Sequence, residues 1–266
     1  TYELTGRLNG YQCIWDVGGK DPIDATNADG ATTIDLRNAT LNNEFGGGGF
    51  ISRINNDYGG YTIAYETISN SISCIIENAK GSIYKDVIRG NSSANTLNGG
   101  DGNDTLNGDL GNDRLVGGDG IDTAVFSSRN NRINLASKRR QNTGDGRDIL
   151  TGIENVNGGA GNDTITGTQS ANTLNGENGN DILYGDLGND RLVGGFGNDR
   201  LFGGGGNDNL NGGKGNDTLE GGLGNDIFQI NSGVGRDLIV DYEDFRDRIK
   251  LLGGLTKDDL TLSSMN

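Results

Sequence analysis

The carboxylates of this chain keep a fixed beat. Asp181, Asp190, Asp199, Asp208, Asp217 and Asp226 follow one another at nine-residue intervals, each directly preceded by Asn. Glycine stands five and two places before every one of them, and four places before most. Leu or Phe stands two places after each. A carboxylate at the end of a glycine-rich turn, with main-chain carbonyls bent toward it, is the donor set of a hard divalent cation, calcium above all.

The elements that hold these groups follow from the same beat. Gly158 to Gln229 divides without remainder into eight nonapeptides, of which Gly194 to Phe202, Gly203 to Asn211, Gly212 to Glu220 and Gly221 to Gln229 are the most complete. They read Gly-Gly-x-Gly-Asn-Asp-x-Leu-x. Glycine at positions 1, 2 and 4 admits left-handed backbone, and Asn at position 5 tolerates it better than most residues. The first six residues therefore predict a tight turn. The last three predict one short strand with its apolar residue pointing inward. Turn, strand, turn, strand gives a coil of two nonapeptides. Ile165, Leu183, Leu201 and Leu219 then fall in one inner row, and Leu174, Leu192, Leu210 and Phe228 in the facing row. Calcium is expected between the turns of units two apart.

The candidate ligands follow unit by unit. In this block they are Gly158, Gly159, Gly161 and Asp163, then Gly176, Gly179 and Asp181, then Gly185, Gly188 and Asp190. The complete units offer Gly194, Gly195, Gly197 and Asp199; Gly203, Gly204, Gly206 and Asp208; Gly212, Gly213, Gly215 and Asp217; and Gly221, Gly222, Gly224 and Asp226. An earlier block of five units runs from Gly81 to Val125. It offers Asp86; Gly99, Gly100, Gly102 and Asp104; Gly111 and Asp113; and Gly117, Gly118, Gly120 and Asp122. Asn95 and Asn172 replace the position-6 Asp and are expected to make weaker half-sites, since an amide oxygen carries no net charge. Ala124 replaces the inner Leu, which predicts a narrower roll there. A flexible Gly/Asn/Asp linker is the competing reading, but linkers do not hold an apolar residue at every eighth position of a nine-residue phase.

Residues 126–157 break the period. Ile133 to Leu135 reads as a strand and Gly144 to Asp148 as a turn. Ile153-Glu154-Asn155-Val156 echoes Ile76-Glu77-Asn78-Ala79, and each copy leads into a repeat block. Lys138-Arg139-Arg140 is the only basic cluster, read as a solvated loop tip or a docking point. Upstream, Ile14, Ile23-Asp24, Thr33 to Leu36, Tyr61 to Tyr65 and Ser71 to Ile76 mark short strands between Gly/Asp turns. After Gln229, Leu238-Ile239 and Ile249 to Leu251 read as two strands that close the open end of the roll, as terminal repeats must. Leu238, Ile239, Tyr242, Phe245, Ile249 and Leu251 predict a small core there, and Thr256 an N-cap.

The nonapeptide resembles the calcium-binding repeat of the RTX, or haemolysin-type, proteins. That resemblance implies an all-β fold: a right-handed parallel β-roll, or β-helix solenoid, in two blocks with a β lead-in and a C-terminal cap. The expected organisation is residues 1–80 as lead-in, 81–125 as first block, 126–157 as interruption, 158–229 as second block and 230–266 as cap. In the cap the resemblance adds Asp237 and Asp247 as ligands. A second resemblance covers residues 1–89. Trp15-Asp16-Val17-Gly18-Gly19-Lys20-Asp21, Gly48 to Ser52, Gly59 to Ala64 and Ile76 to Ala79, in that order, look like the C-terminal domain of serralysin-type secreted metalloproteases. It implies calcium ligands at Asp16, Asp21 and Asp24. Pro22 and Glu66 to Ser71 depart from that pattern.

Composition agrees with a cation-dependent chain. Of 266 residues 49 are Gly and only 32% are hydrophobic, and the formal charge is −15. One inner Leu per unit contributes about 1.5–3 kcal/mol, far below the entropy of ordering nine residues, and rows of Asp repel one another. The acidic balance argues against nucleic acid or an anionic membrane as partner. The chain has no His, which removes zinc-protease motifs and His-based triads, and Gly-x-Ser-x-Gly does not occur. No apolar run approaches membrane-spanning length. Cys13 and Cys74 allow one disulfide or two thiols. The first residue is Thr, which reads as a processed or trimmed chain, and Leu262 to Asn266 does not form a clear secretion signal of the family.

The functional expectation is a non-catalytic, calcium-binding module of a secreted protein. The resemblances imply that it folds on extracellular calcium and supports type I secretion and the stability of an attached protease-like enzyme. The alternative is a stand-alone extracellular structural or adhesive protein that assembles on a surface.

Overall fold

A computed structural model describes residues 2–3, 12–14, 22–28, 30–36, 53–54, 61–63, 77–127, 129–232 and 235–261. It is all-β, apart from one turn of 3-10 helix at Lys257–Asp259, and its strands stack in parallel as a β-solenoid. Two units are distinguished, residues 1–127 with 137–155, and residues 128–136 with 156–266.

The second unit shows why the nonapeptide folds as it does. One sheet stacks Arg132–Asn134, Thr164–Thr168, Ile182–Leu187, Arg200–Gly205, Thr218–Leu223 and Leu238–Ile239 in that order. The facing sheet stacks Thr173–Asn178, Arg191–Phe196, Asn209–Lys214, Ile227–Ile230 and Arg248–Leu251. Every pairing is parallel and, within the repeats, steps by two nonapeptides: Ile165, Leu183, Leu201 and Leu219 lie in one register row. Leu174, Leu192, Leu210 and Phe228 form the other. All eight side chains have no solvent exposure, so both inner rows lie where the beat places them. On the outer face Tyr184 stacks on Phe202 at 4.9 Å, and the Arg200 guanidinium lies 5.2 Å from the Phe202 ring.

The strands are longer than the x-Leu-x triplet. Arg191–Phe196 and its neighbours have six residues, running from position 7 of one unit through position 3 of the next. The two-residue side-chain alternation explains the consequence: position 8 and the following position 1 share the inward face. The turn proper shrinks to positions 4 to 6.

The first unit stacks Tyr2–Glu3, Pro22–Asp24, Asn78–Lys80, Thr96–Asp101, Arg114–Asp119 and Arg147–Thr151, with Gln141–Asn142 antiparallel at the end. A second sheet stacks Arg53–Ile54, antiparallel, on Thr32–Asp35, then Val87–Arg89, Thr105–Asn107 and Thr123–Val125. Ile23, Ala79, Leu97, Leu115 and Leu150 line one inner row, and Ile34, Ile88, Leu106 and Ala124 the other. The lead-in thus supplies coils before the first nonapeptide. Gln12–Ile14 pairs with Tyr61–Ile63. Cys74 and the expected strand at Ser71 to Ile76 lie outside the described residues, so the cysteine pairing does too.

The break at residues 126–157 is a break of spacing more than of structure. The expected strand and turn are present, at Arg132–Asn134 and before Arg147–Thr151. Thr143 to Thr151 reads Thr-Gly-x-Gly-x-Asp-x-Leu-x, a repeat with Thr in place of the first Gly, and Leu150 pairs in register with Leu115. Residues 129–134 complete another repeat-like turn, with Asn130 and Asn131 at positions 5 and 6 and Ile133 in register with Ile165. Lys138, Arg139 and Arg140 are exposed.

The cap does not form the expected core. Phe245 is fully exposed at a left-handed φ of 71°, and Leu238 and Tyr242 are exposed as well. A tight turn closed on the Glu243 carbonyl throws the Phe245 side chain outward. Hydrogen bonds do the closing instead, as described below. Thr256 does cap its helical turn, with Asp259 completing a capping box.

Candidate metal centres

The site is built from one turn and the turn two nonapeptides away. Gly197, at position 4, has a φ of 132°, and a Cβ there would stand 1.8 Å from the Gly179 carbonyl oxygen of the preceding coil. Only glycine meets both conditions. Where position 2 carries Asp or Glu in place of Gly, the left-handed conformation persists: Asp109, Glu177 and Asp186 have φ of 62°, 72° and 78°. Asn at position 5 is not left-handed. It acts through its side chain, whose Oδ1 accepts the backbone N–H of the next coil: Asn180 takes that of Asn198 at 2.7 Å, and Asn198 that of Asn216 at 2.8 Å.

The position-6 Asp residues form rows in the opposite sense. Asp199 Oδ1 accepts the N–H of Asp181 at 2.8 Å, and Asp217 Oδ1 that of Asp199 at 2.8 Å. One row of the second unit runs Asn131, Asp163, Asp181, Asp199, Asp217 and Asp237. The other runs Asn172, Asp190, Asp208, Asp226 and Asp247. In the first unit the rows are Asp86, Asp104, Asp122 and Glu154, and Asn95, Asp113 and Asp148. Glu154 and Asp148 are row members that the period does not reveal. The signal for Asp148 is the Thr143 repeat. Glu154 gives none, because the turn before it is three residues short of the repeat.

What the rows leave over is decisive. Asp104, Asp113, Asp122, Asp181, Asp190, Asp199, Asp208, Asp217 and Asp226 each keep a buried Oδ2 with no hydrogen-bond partner, on side chains at most 2% exposed. A buried carboxylate oxygen without a donor costs several kcal/mol. Each of these oxygens faces its own position-1 glycine, whose missing side chain leaves a cradle. A Cβ on Gly194 would lie 2.3 Å from Asp199 Oδ2 and 2.4 Å from the carbonyl oxygen of Gly212, one coil on. The same pairing brings Asp104 to the Gly117 carbonyl, Asp181 to that of Gly194 and Asp208 to that of Gly221. Two acceptors facing one gap fit a cation between them. The carbonyls of positions 2 and 4 point instead at the glycines of the next coil, as Gly195 does at Gly213 and Gly197 at Gly215. Among the described residues no three acidic, His or Cys side chains converge on one point, so main-chain oxygens must complete any coordination shell.

The electrostatics agree. Burial pushes Asp113 up to about 8 and Asp104 and Asp199 up to about 7, against the pull of the backbone hydrogen bond each accepts. Neighbouring carboxylates add to the rise: Asp148, Asp109 and Asp145 at Asp113, and Asp181 and Asp217 at Asp199. Asp181, Asp190, Asp208 and Asp237 are raised to about 6, again chiefly by burial.

Three expected sites stand apart. Asp86 has both carboxylate oxygens engaged, by Thr32 N–H and by the Ser82 N–H and hydroxyl. Asp247 is engaged through both oxygens, by Asp226 N–H at 3.0 Å and Glu243 N–H at 2.8 Å. Asp24 accepts from Thr26 N–H at 2.9 Å in a local turn, while Asp16 and Asp21 lie outside the described residues.

No curated protein matches the chain. Four segments, residues 81–115, 89–124, 157–192 and 193–228, match the RTX calcium-binding nonapeptide repeat, the segments that carry most members of the carboxylate rows. Residues 81–124 and 157–228 of this protein are RTX repeats wound as a β-roll, and such repeats bind Ca2+.

Proposed function

We propose that this chain is a non-catalytic, calcium-folded module of a secreted protein. Its ions are held between successive coils by the Oδ2 atoms of the Asp rows and the position-1 carbonyls facing them. The observation that carries this reading is the facing pair: a buried, donorless carboxylate oxygen opposite a carbonyl oxygen, repeated coil after coil. In the absence of a cation both acceptors are desolvated and repel, so a ligand that binds only the folded state stabilises it by mass action.

Calcium supplies positive charge at those gaps. The chain's own residues set the spacing, hold each Asp rotamer through its Oδ1 hydrogen bond and keep water from the inner Leu rows. Extracellular concentrations suit such a device, because sites of this kind in extracellular modules bind at ~0.1–1 mM. Folding is then withheld until the chain has left a low-calcium compartment. The order Trp15 to Ala79, with its likeness to the serralysin C-terminal domain, supports attachment to a secreted hydrolase that the roll keeps folded, and export by a type I system. Among the described residues no helix is long and apolar enough to cross a membrane.

Far-UV circular dichroism over a calcium titration tests the reading. The spectrum should pass from coil to strand as calcium rises toward ~0.1–1 mM. A strand signal that survives excess chelator unchanged at neutral pH would overturn it.

A further inference from the structure

Every carboxylate row starts on a residue that the chain itself supplies with hydrogen bonds, although at Asp86, Asn95 and Asn172 the side-chain oxygen still faces the Gly99, Gly108 or Gly185 carbonyl of the next coil. The four first members are Asp86 and Asn95 in the first unit, and Asn131 and Asn172 in the second. At Asp86, Ser82 occupies position 2, and its N–H and hydroxyl donate to Oδ2 at 2.5 and 2.9 Å. At Asn95, the position-2 residue is Asn91; its N–H donates to Asn95 Oδ1 at 2.8 Å, and Asn95 Nδ2 donates back to Asn91 Oδ1 at 3.3 Å. At Asn172 the position-2 residue is Thr168, whose N–H and hydroxyl donate to Oδ1 at 2.7 and 3.1 Å.

Asn131 does the same across the coil step. Its Nδ2 donates to the Gly158 carbonyl at 2.9 Å and to Asp163 Oδ1 at 2.9 Å. Asn131 and Gly158 stand in the same relation as Asp199 and Gly212, where two acceptors face each other. At Asn131 the neutral Nδ2 donor replaces one of the acceptors, so the gap to the Gly158 carbonyl closes without a cation, while the buried Oδ1 of the same amide keeps no hydrogen-bond partner.

We propose that these four first steps take no calcium: each is a lock of hydrogen bonds within the chain, and ion binding begins one coil later in every row. The inference rests on the reading of the rows as calcium sites. It changes the meaning of Asn95 and Asn172, which are not weakened half-sites but filled ones. It also gives each row a starting point. Parallel stacking of near-identical units has no intrinsic register, and a lock that forms once, at one end, supplies it. Amides at three of the four starts add no charge to the row behind them.

Counting calcium per chain tests this, by equilibrium dialysis of the full protein with radiolabelled calcium. Asn131→Asp, and separately the pair Thr168→Gly with Asn172→Asp, convert a filled cradle into one with a free carboxylate oxygen. Each should raise the count by one ion over wild type. Asn131→Ala and Asn172→Ala should leave the count unchanged. An Ala variant that loses an ion overturns the proposal, because the step already held one. So do Asp variants that reach the wild-type strand signal with an unchanged count. If an Asp variant fails to fold at saturating calcium, the Ala variants decide. A wild-type chain that takes up no calcium would instead remove the underlying reading of the rows.

Discussion

Asp217 Oδ1 accepts the backbone N–H of Asp199 at 2.8 Å, while Asp199 keeps its own Oδ2 without a donor opposite the Gly212 carbonyl. One carboxylate thus divides its labour: one oxygen ties it to the coil before, the other is reserved for an ion. The two tasks can be separated by mutation. Asp199→Asn retains an oxygen for the Asp181 N–H but removes the charge. Loss of one charged ligand is worth about 1–3 kcal/mol, so the calcium midpoint should rise roughly tenfold. Asp199→Ala removes both contacts and should raise the midpoint further and reduce the Hill coefficient. Equal midpoints for wild type and both variants would count against the geometry.

Protons and calcium should compete, with a definite sign. Burial raises Asp104 and Asp199 to about 7 and Asp113 to about 8 in the folded chain, against about 3.9 unfolded. A raised folded value means that the fold binds protons more tightly than the unfolded chain. In chelator, its stability is therefore greatest below about pH 4 and is lost as pH rises through about 7 to 8. Calcium needs the ionised form, so its midpoint should fall over the same window. Circular dichroism at pH 5, 6.5 and 8 should show more residual strand at pH 5 in chelator, and tighter calcium binding at pH 8. A midpoint that does not move with pH would be inconsistent with buried carboxylates as ligands.

Two glycines of neighbouring units should respond differently to Ala. Gly197→Ala places a Cβ 1.8 Å from the Gly179 carbonyl at a φ of 132°. The backbone must move, and the cost should exceed about 2 kcal/mol. Gly205→Ala meets only the Leu187 side chain, at 3.0 Å, without a positive φ. Thermal unfolding in saturating calcium should show a lowered Tm for Gly197→Ala and little change for Gly205→Ala. Comparable losses in both would argue against the stacking register.

The C-terminal segment closes the roll through carboxylates. Asp241 accepts from Gly221 and Gly222 N–H at 2.9 and 2.7 Å, Asp237 from Asp217 N–H at 3.2 Å, and Asp247 from Asp226 N–H at 3.0 Å. Truncation after Gln229 leaves these four amides without acceptors. It should raise the calcium midpoint and lower cooperativity, whereas Phe245→Ser, at an exposed side chain, should not. If the truncated chain folds at the wild-type calcium concentration with the same cooperativity, the segment is only a lid.

The inner rows and the carboxylate rows were legible because each depends on one residue recurring at one position: Leu201 and Asp199 announce themselves by period alone. What the sequence hid were partners and substitutes. Asn198 reads as a left-handed turn former, yet it serves as a side-chain acceptor, a role that exists only once a second coil lies beside it. Strands read as triplets because Gly203 and Gly204 look like breakers; cross-coil hydrogen bonding overrides that preference. Thr143 concealed a repeat by standing where Gly is expected, and its hydroxyl, bonded to Asp148, fills the cradle that glycine would leave. Phe245 looked like core because composition does not tell which way a tight turn throws a side chain.

The opposed senses of the Asn and Asp rows set a grammar for the length of the second roll. Consecutive residues such as Asn198 and Asp199 reach to different neighbours, forward and back, so a coil is complete only with both of its turns. The two faces also end differently, one on Leu238–Ile239 and the other on Arg248–Leu251. A gene duplication of two nonapeptides, such as 194–211, therefore inserts a full coil that both ends accept. Duplicating a single one, such as 194–202, delivers each closing strand to the wrong face. The roll should tolerate the longer insertion and resist the shorter one, as Tm values of the two would reveal. Its size can evolve only by whole coils.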